Sequence, residues 1–199
     1  MRWLRRSGLA LQERCVDHRI LCEGHFLRVY RDTVVLPSGG CASREYVCHP
    51  GAVVVVPLLF DASGNINLVL ESQYRHPLGQ VIFEFPAGKL DPGEDPKSCA
   101  QRELLEETGF QANQWAQAGV IHPTVAYSTE VIEIWFAKDL VPGAQRLDDG
   151  ELLDVLSIPA DTFFDACRDG RITDAKTLCA GLWLQNWLSG AWLLSWSGS

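Results

Sequence analysis

Residues 86–110 read PAGKLDPGEDPKSCAQRELLEETGF. Asp91, Glu94, Asp95, Glu103, Glu106 and Glu107 are crowded between Gly88 and Gly109. Carboxylates this close repel one another, so solvent, basic side chains or bound cations must offset the charge. Asp95 followed by Pro96 is a helix start, a capping side chain and then proline at the first helical position. Gly109 suits the left-handed residue just past the end. Between them Ala100 and Leu104 lie four apart on one face and are expected to pack inward. Glu103 and Glu107 are also four apart, so their carboxylates project together about one turn apart, with Glu106 flanking the same side. Arg102 and Glu106 can pair, which leaves Glu103 and Glu107 less neutralised.

Two carboxylates aimed at one point are hard oxygen ligands of the kind Mg²⁺ or Mn²⁺ takes. Gly88 lets bare backbone approach that face, which makes the Ala87 carbonyl a candidate ligand. Glu94 can reach over the helix start as a further ligand or as a group orienting water. A merely solvated acidic helix needs no fixed spacing. This stretch fits G-x5-E-x7-R-E-U-x-E-E-x-G-U at Gly88, Glu94, Arg102, Glu103, Leu104, Glu106, Glu107, Gly109 and Phe110. Seven fixed residue types, each at about 7% usage, coincide by chance in about one window per 10⁸.

Outward from this stretch the chain reads as strands. On the N-terminal side, residues 16–48 alternate β-branched and polar residues, as in FLRVYRDTVVL, turn at PSGG and resume as CASREYVC, a small antiparallel β unit. AVVVVPLLF is a continuous apolar run and therefore a buried strand. DASGN is a turn, INLVLESQYR the returning strand of a hairpin, and VIFEFPA another strand leading into the acidic stretch. Beyond it, GVIHP, EVIEIWFAKDL and GELLDVLSIP read as strands, while ADTFFDACRDG and TDAKTLCAGLWLQNWL read as helices. Asp174 near the start of the last helix and Gly190 past its end are good boundary residues. The expected class is α+β: a mixed sheet between helices, an α/β/α sandwich, preceded by the N-terminal β unit. The boundary is placed at residues 48/49, giving segments 1–48 and 49–199.

The chain has 199 residues, 47% of them hydrophobic, and a formal net charge of −8. That balance argues against a nucleic-acid partner, which needs a basic face, but allows a small anionic substrate bridged by divalent cations. Seven cysteines form no CxxC pair and read as reduced thiols. The basic N-terminus has no sustained apolar run and is a poor signal peptide, so a cytoplasmic protein is expected. GLWLQNWLSGAWLLSW is too short and interrupted to span a membrane. Its tryptophans, Trp183 with Trp187 and Trp192 with Trp196, recur four apart. They read as one helical face packed on the core or on another subunit, and less readily as an interfacial membrane helix.

The 88–110 pattern is the Nudix box, and the chain resembles a Nudix hydrolase, an enzyme that cleaves a nucleoside diphosphate linked to another moiety with divalent metal. HPGAVVVVP, QYR at 73–75, EFPAGKLDPGE, IHPTVAYSTEVIEIWFA and RLDDGELLDV resemble the ADP-ribose pyrophosphatase branch. The resemblance implies the Nudix fold, with Glu103, Glu107 and the Ala87 carbonyl as main metal ligands and Glu94 and Glu151 as further ones. It implies a catalytic set of Glu151, Asp149, Glu106 and Arg102, in which Glu151 or Asp149 positions or deprotonates the attacking water. Arg75 matches the arginine that contacts substrate phosphates, and Glu84 and Glu130 match polar positions lining the substrate site. Gly88 belongs with them, and His49 is either a contact or simply a strand-start residue. The reaction implied is Mg²⁺-dependent conversion of ADP-ribose to AMP and ribose 5-phosphate, with Mn²⁺ able to substitute. The partner is then a small nucleoside diphosphate sugar, with neither nucleic acid nor membrane involved. Val125 departs from the branch, which usually has proline there, so GDP-mannose and other nucleoside diphosphate sugars stand as alternatives. A catalytically silent nucleotide sensor is the alternative of another class. The resemblance also implies a homodimer to which the N-terminal β unit contributes.

Overall fold

The computed structural model describes residues 8–199. The basic start of the chain, residues 1–7, lies outside the described residues. By compactness the chain divides into two units, one running to His49 and including Thr124–Glu130, the other comprising Pro50–Pro123 and Val131–Ser199.

The second unit is organised around β4, Ala52–Phe60. Seven consecutive residues of AVVVVPL are buried, which is possible only for a strand covered on both faces. Val54, Val56 and Leu58 face one core, with Leu68, Leu70, Phe85, Ile134, Phe136, Phe163 and Leu184. The alternate residues Val53 and Val55 face the other, with Cys99, Ala100, Leu104, Ala112, Trp115 and Ala137. The period-2 alternation of one strand thus serves two layers of helix. β4 pairs antiparallel with β5 (Ile66–Arg75) and β7 (Ala87–Lys89), and parallel with β9 (Ile132–Pro142). β6 (Gln80–Glu84) pairs with β5, and β8 (Phe110–Ile121) with β9. With β10 (Leu153–Pro159) and β11 (Ser197–Gly198), the sheet runs β10-β5-β4-β9-β8-β11, a mixed α+β arrangement. β8 is longer than GVIHP indicates. Gln111, Gln114 and Gln117 hide the strand by composition; Gln111 and Gln117 are exposed and Gln114 half-buried, while Ala112, Trp115 and Ala116 are buried.

Helix α1, Pro96–Thr108, starts where Asp95 accepts hydrogen bonds from the Lys97 and Ser98 amides at 3.1 and 3.2 Å. It stops at Gly109, whose φ of 72° only glycine adopts at little cost. Ala100 and Leu104 are fully buried, as their spacing requires. α2 (Ala160–Arg168) and α3 (Ala175–Leu188) cover the opposite face. The tryptophan segment differs from a single helical face, because α3 ends at Leu188 and Gly190 turns the chain at φ 74°. Trp192 folds back edge-on to Trp183 at 5.3 Å, and Trp196 to Trp187 at 6.0 Å. The four indoles still share one packing surface, reached by a reversal. No helix among the described residues is long and apolar enough to cross a membrane.

In the first unit, β1 (Arg14–Glu23), β2 (Arg28–Val35) and β3 (Cys41–Cys48) form an antiparallel sheet in sequence order. The segment Thr124–Glu130 lies along β3, with the Val47 amide donating to Tyr127 O and the Thr129 amide to Val47 O. Asp32 accepts from Tyr46 Oη and pairs with His18 Nδ1 on one face of this sheet. Among its described side chains only Val34 is buried.

Removing the α1 cap with Asp95→Ala should cost about 1 kcal/mol, and Leu104→Ala about 2–5 kcal/mol. Urea unfolding monitored by circular dichroism checks both, and equal midpoints for the two variants would contradict this ranking.

Candidate active site

Helix α1 turns two charged residues into the interior. Glu103 is 9% exposed and Glu107 5%. Glu107 Oε2 accepts the Ala87 amide at 2.9 Å. Glu103 lies on Gly88 so closely that a Cβ there would stand 1.7 Å from Oε1. Gly88 is therefore needed for space, not for backbone freedom, since it holds no left-handed φ. The PAGK backbone and the two carboxylates form one surface.

Arg102 divides itself more widely than its spacing to Glu106 suggests. Its Nε and Nη2 grip Glu94 at 2.9 and 2.8 Å, and Nη2 also donates to Lys89 O at 3.1 Å. Held in that plane, Nη1 reaches both Glu103 Oε1 at 2.7 Å and Glu106 Oε2 at 3.2 Å. Glu103 is thus partly neutralised, contrary to the expectation from spacing, because Glu94 fixes the guanidinium fork between its neighbours. The Arg102 hydrogen bond holds the Glu94 carboxyl down at about 2. Burial raises the Glu103 carboxyl despite Arg102.

Three residues that the sequence did not single out complete the surroundings. Glu71 on β5 is 3% exposed and in hydrogen-bond contact with Glu107. Burial raises both carboxyls, and for Glu107 the charges of Glu71, Glu103 and Glu151 add to it. Gln73 Nε2 donates to Glu151 Oε1 at 3.2 Å, tying the 148–152 loop to β5. Lys176, from the first turn of α3, bonds Glu84, which also receives Arg75 Nε at 2.6 Å and Nη2 at 2.9 Å. Burial pushes the Glu84 carboxyl up, but Arg75 and Lys176 outweigh it and keep it below its ordinary value. Glu71 was legible as a charge inside an apolar strand, and Lys176 as a cation two residues from a helix cap.

Asp149 is exposed, whereas Glu151 is half-buried and acts electrostatically on Glu103 and Glu107. Gln73, Tyr74, Asp148, Asp149, Glu151 and Leu152 line a cleft of about 420 Å³. His49 and Glu130 belong to the first unit, where His49 Nε2 stands 3.7 Å from Glu130 Oε1 and the His49 amide donates to Thr129 Oγ1. Among the described residues no three His, Cys, Asp or Glu side chains form a closed metal cage. The donors on this surface nonetheless suit a hard divalent cation, being carboxylate oxygens without imidazole. Cys99, nearby, is kept as a neutral thiol because burial and then Glu94 push its pKa up.

The NUDIX domain model matches residues 49–179, and the chain belongs to the Nudix family. It is 34% identical over 180 residues to the methanol dehydrogenase activator of Bacillus methanolicus, covering 89% of this chain and 95% of that protein. It is 30% identical over 178 residues to the ADP-ribose pyrophosphatase of Bacillus subtilis, covering 88% and 94%. A solved ADP compounds hydrolase superposes with a TM-score of 0.80 at 25% identity, over 91% of this chain and 97% of that one. Nudix hydrolases generally depend on a divalent metal, which the oxygen-only surface accommodates.

Gly88→Ala should fold but displace Glu103, lowering metal-dependent turnover at least about tenfold with little change in melting temperature. A turnover within twofold of wild type would show that Glu103 need not rest on Gly88. Glu94 ionises well below an unfolded glutamate (about 4.3), so its pairing stabilises fully above that pH and is lost as pH falls towards 2. Glu94→Gln should therefore cost about 1–2 kcal/mol at pH 7, with the gap from wild type narrowing below about pH 4.5 in urea titrations at each pH.

Proposed function

We propose that the chain is a Mg²⁺-dependent pyrophosphatase that hydrolyses the diphosphate bond of a nucleoside diphosphate sugar, with ADP-ribose, cleaved to AMP and ribose 5-phosphate, as substrate. Mn²⁺ substitutes for Mg²⁺. The observation that carries the reading is the convergence of Glu103 and Glu107 on the bare Ala87–Gly88 backbone.

In this reading Glu103, Glu107 and the Ala87 carbonyl hold the metal, with Glu94 and Glu151 available as further oxygen donors. The bound metal supplies charge to offset the diphosphate and to make water more acidic. Glu151, tied by Gln73 and facing the box carboxylates, takes the proton from the attacking water, and exposed Asp149 is the lesser candidate. Arg102, Glu106 and Glu94 fix the orientation of Glu103. Arg75, 40% exposed at its side chain and braced by Glu84, presents its remaining donors to substrate phosphate. His49, Glu130 and Gly88 complete the substrate contacts. Residues 49–199 carry catalysis, while 1–48 serve dimerisation and substrate binding. A sheet that buries one side chain lacks a core of its own, and Val16, Ile20, Leu21, Phe26 and Leu27 are 42–53% exposed, so a second copy covers it. Seven unpaired thiols suit a reducing cytoplasm.

Val125, at the position where the branch usually has proline, keeps GDP-mannose and other nucleoside diphosphate sugars as the second substrate reading. The relative named as an activator keeps a regulatory role as the alternative of another class. The intact box carboxylates favour catalysis over silent sensing.

Purified protein with Mg²⁺ should release AMP from ADP-ribose faster than it cleaves GDP-mannose or ADP-glucose. Cleavage of none of them would overturn the enzyme reading, and preference for GDP-mannose the substrate reading. Glu103→Gln and Glu107→Gln should each reduce turnover at least about a hundredfold while the fold is kept. Light scattering should give twice the chain mass, and an active monomer would refute the dimer.

A further inference from the structure

Glu71 is hard to explain as a structural residue. It sits in β5 between Leu70 and Ser72, paired across the sheet with Glu84 on one side and Val155 on the other. A side chain 3% exposed at this position would cost least as an aliphatic one. Instead it is a carboxyl group in contact with Glu107 and within electrostatic reach of Glu151 and Glu84, with Lys176 the cation on that side. Lys176 is already engaged with Glu84 and Asp174. Among the described residues, Glu71 Oε1 is the sole buried side-chain nitrogen or oxygen without a hydrogen-bond partner. A buried carboxylate oxygen left unmatched beside three other carboxylates destabilises the fold.

We propose that Glu71 is a positioning residue of the cation site, orienting Glu107 and adding negative charge that becomes favourable when a divalent cation binds there. The proposal rests on the reading of Glu103 and Glu107 as metal ligands. The surrounding residues bear it out in kind: Glu84 has its own two cations and Glu103 has Arg102, whereas the Glu71–Glu107 pair has no protein cation bonded to it among the described residues. Glu71 acts through Glu107, so its effect lies in cation affinity and in the stability of the protein without metal.

Two variants separate this from a structural role. Glu71→Gln keeps the shape and a hydrogen bond to Glu107, and Glu71→Leu removes both charge and hydrogen bonding. Binding of Mn²⁺ to the whole chain is read by electron paramagnetic resonance as loss of the free-ion signal, and melting temperatures are taken in EDTA and in Mg²⁺. The expected result is Mn²⁺ binding weakened about tenfold in both variants, a melting temperature above wild type in EDTA, and a smaller rise on adding Mg²⁺. Unchanged Mn²⁺ affinity in Glu71→Gln would overturn the proposal, as would a lower melting temperature in EDTA, which a structural hydrogen-bonding role predicts. Wild-type protein that binds no Mn²⁺ would instead sink the reading of Glu103 and Glu107 itself. Loss of Mn²⁺ binding in Glu103→Gln together with unaltered binding in both Glu71 variants would sink this inference alone.

Discussion

Glu71, Glu103, Glu107 and Glu151 act on one another beside an apolar core. Their mutual repulsion is the constraint to which the neighbouring structure answers. Glu94 holds Arg102 by its fork so that one guanidinium serves Glu103 and Glu106 as well. Arg75 and Lys176 do the same for Glu84. The Ala87 amide gives Glu107 a neutral donor, which lessens its cost without cancelling its charge. What is left unbalanced is negative, buried and made of oxygen, the chemistry that a hard dication matches. A Nudix protein can keep such a site folded because β4 buries seven residues beside it and anchors cores on both faces.

Much of this was legible in the chain. The helix from Asp95 to Gly109 is written in its caps, and the buried strand in its four valines. The box spacing gave the family, and it pointed to Glu103, Glu107 and the Ala87–Gly88 backbone, which the fold brings onto one surface. Less was legible where a side chain's role depends on a partner distant in sequence. Gln73 meets Glu151 across 78 residues and Lys176 meets Glu84 across 92, and no local pattern announces either. Arg102 showed its four-residue spacing to Glu106, but its grip on Glu94 depends on how the loop before the helix closes. β8 was partly hidden because Gln111, Asn113, Gln114 and Gln117 dilute the apolar signal that valines make plain.

The two units differ in what secures them. The second has two apolar clusters and three helices, so its strands are fixed by burial. The first has a three-stranded sheet with one buried side chain, held by cross-strand polar contacts such as Asp32 with His18 and Tyr46. Paired surface charges of this kind contribute little each. Sequence alternation identifies both as β structure but does not tell a sheet with its own core from one that lacks it.

Gly119 has a consequence for the packing of α3. A Cβ there would stand 2.6 Å from the Trp183 ring, and its absence lets the indole lie flat enough for Nε1 to donate to Ala118 O at 2.8 Å. Trp183 then meets Trp192, Trp187 meets Trp196, and Lys138 stands 4.1 Å over the Trp196 ring. Indoles fixed edge-on at such separations couple their electronic transitions. The chain therefore carries an intrinsic optical label, a near-ultraviolet circular dichroism signal that would report the docking of residues 189–196 on α3 without any added dye.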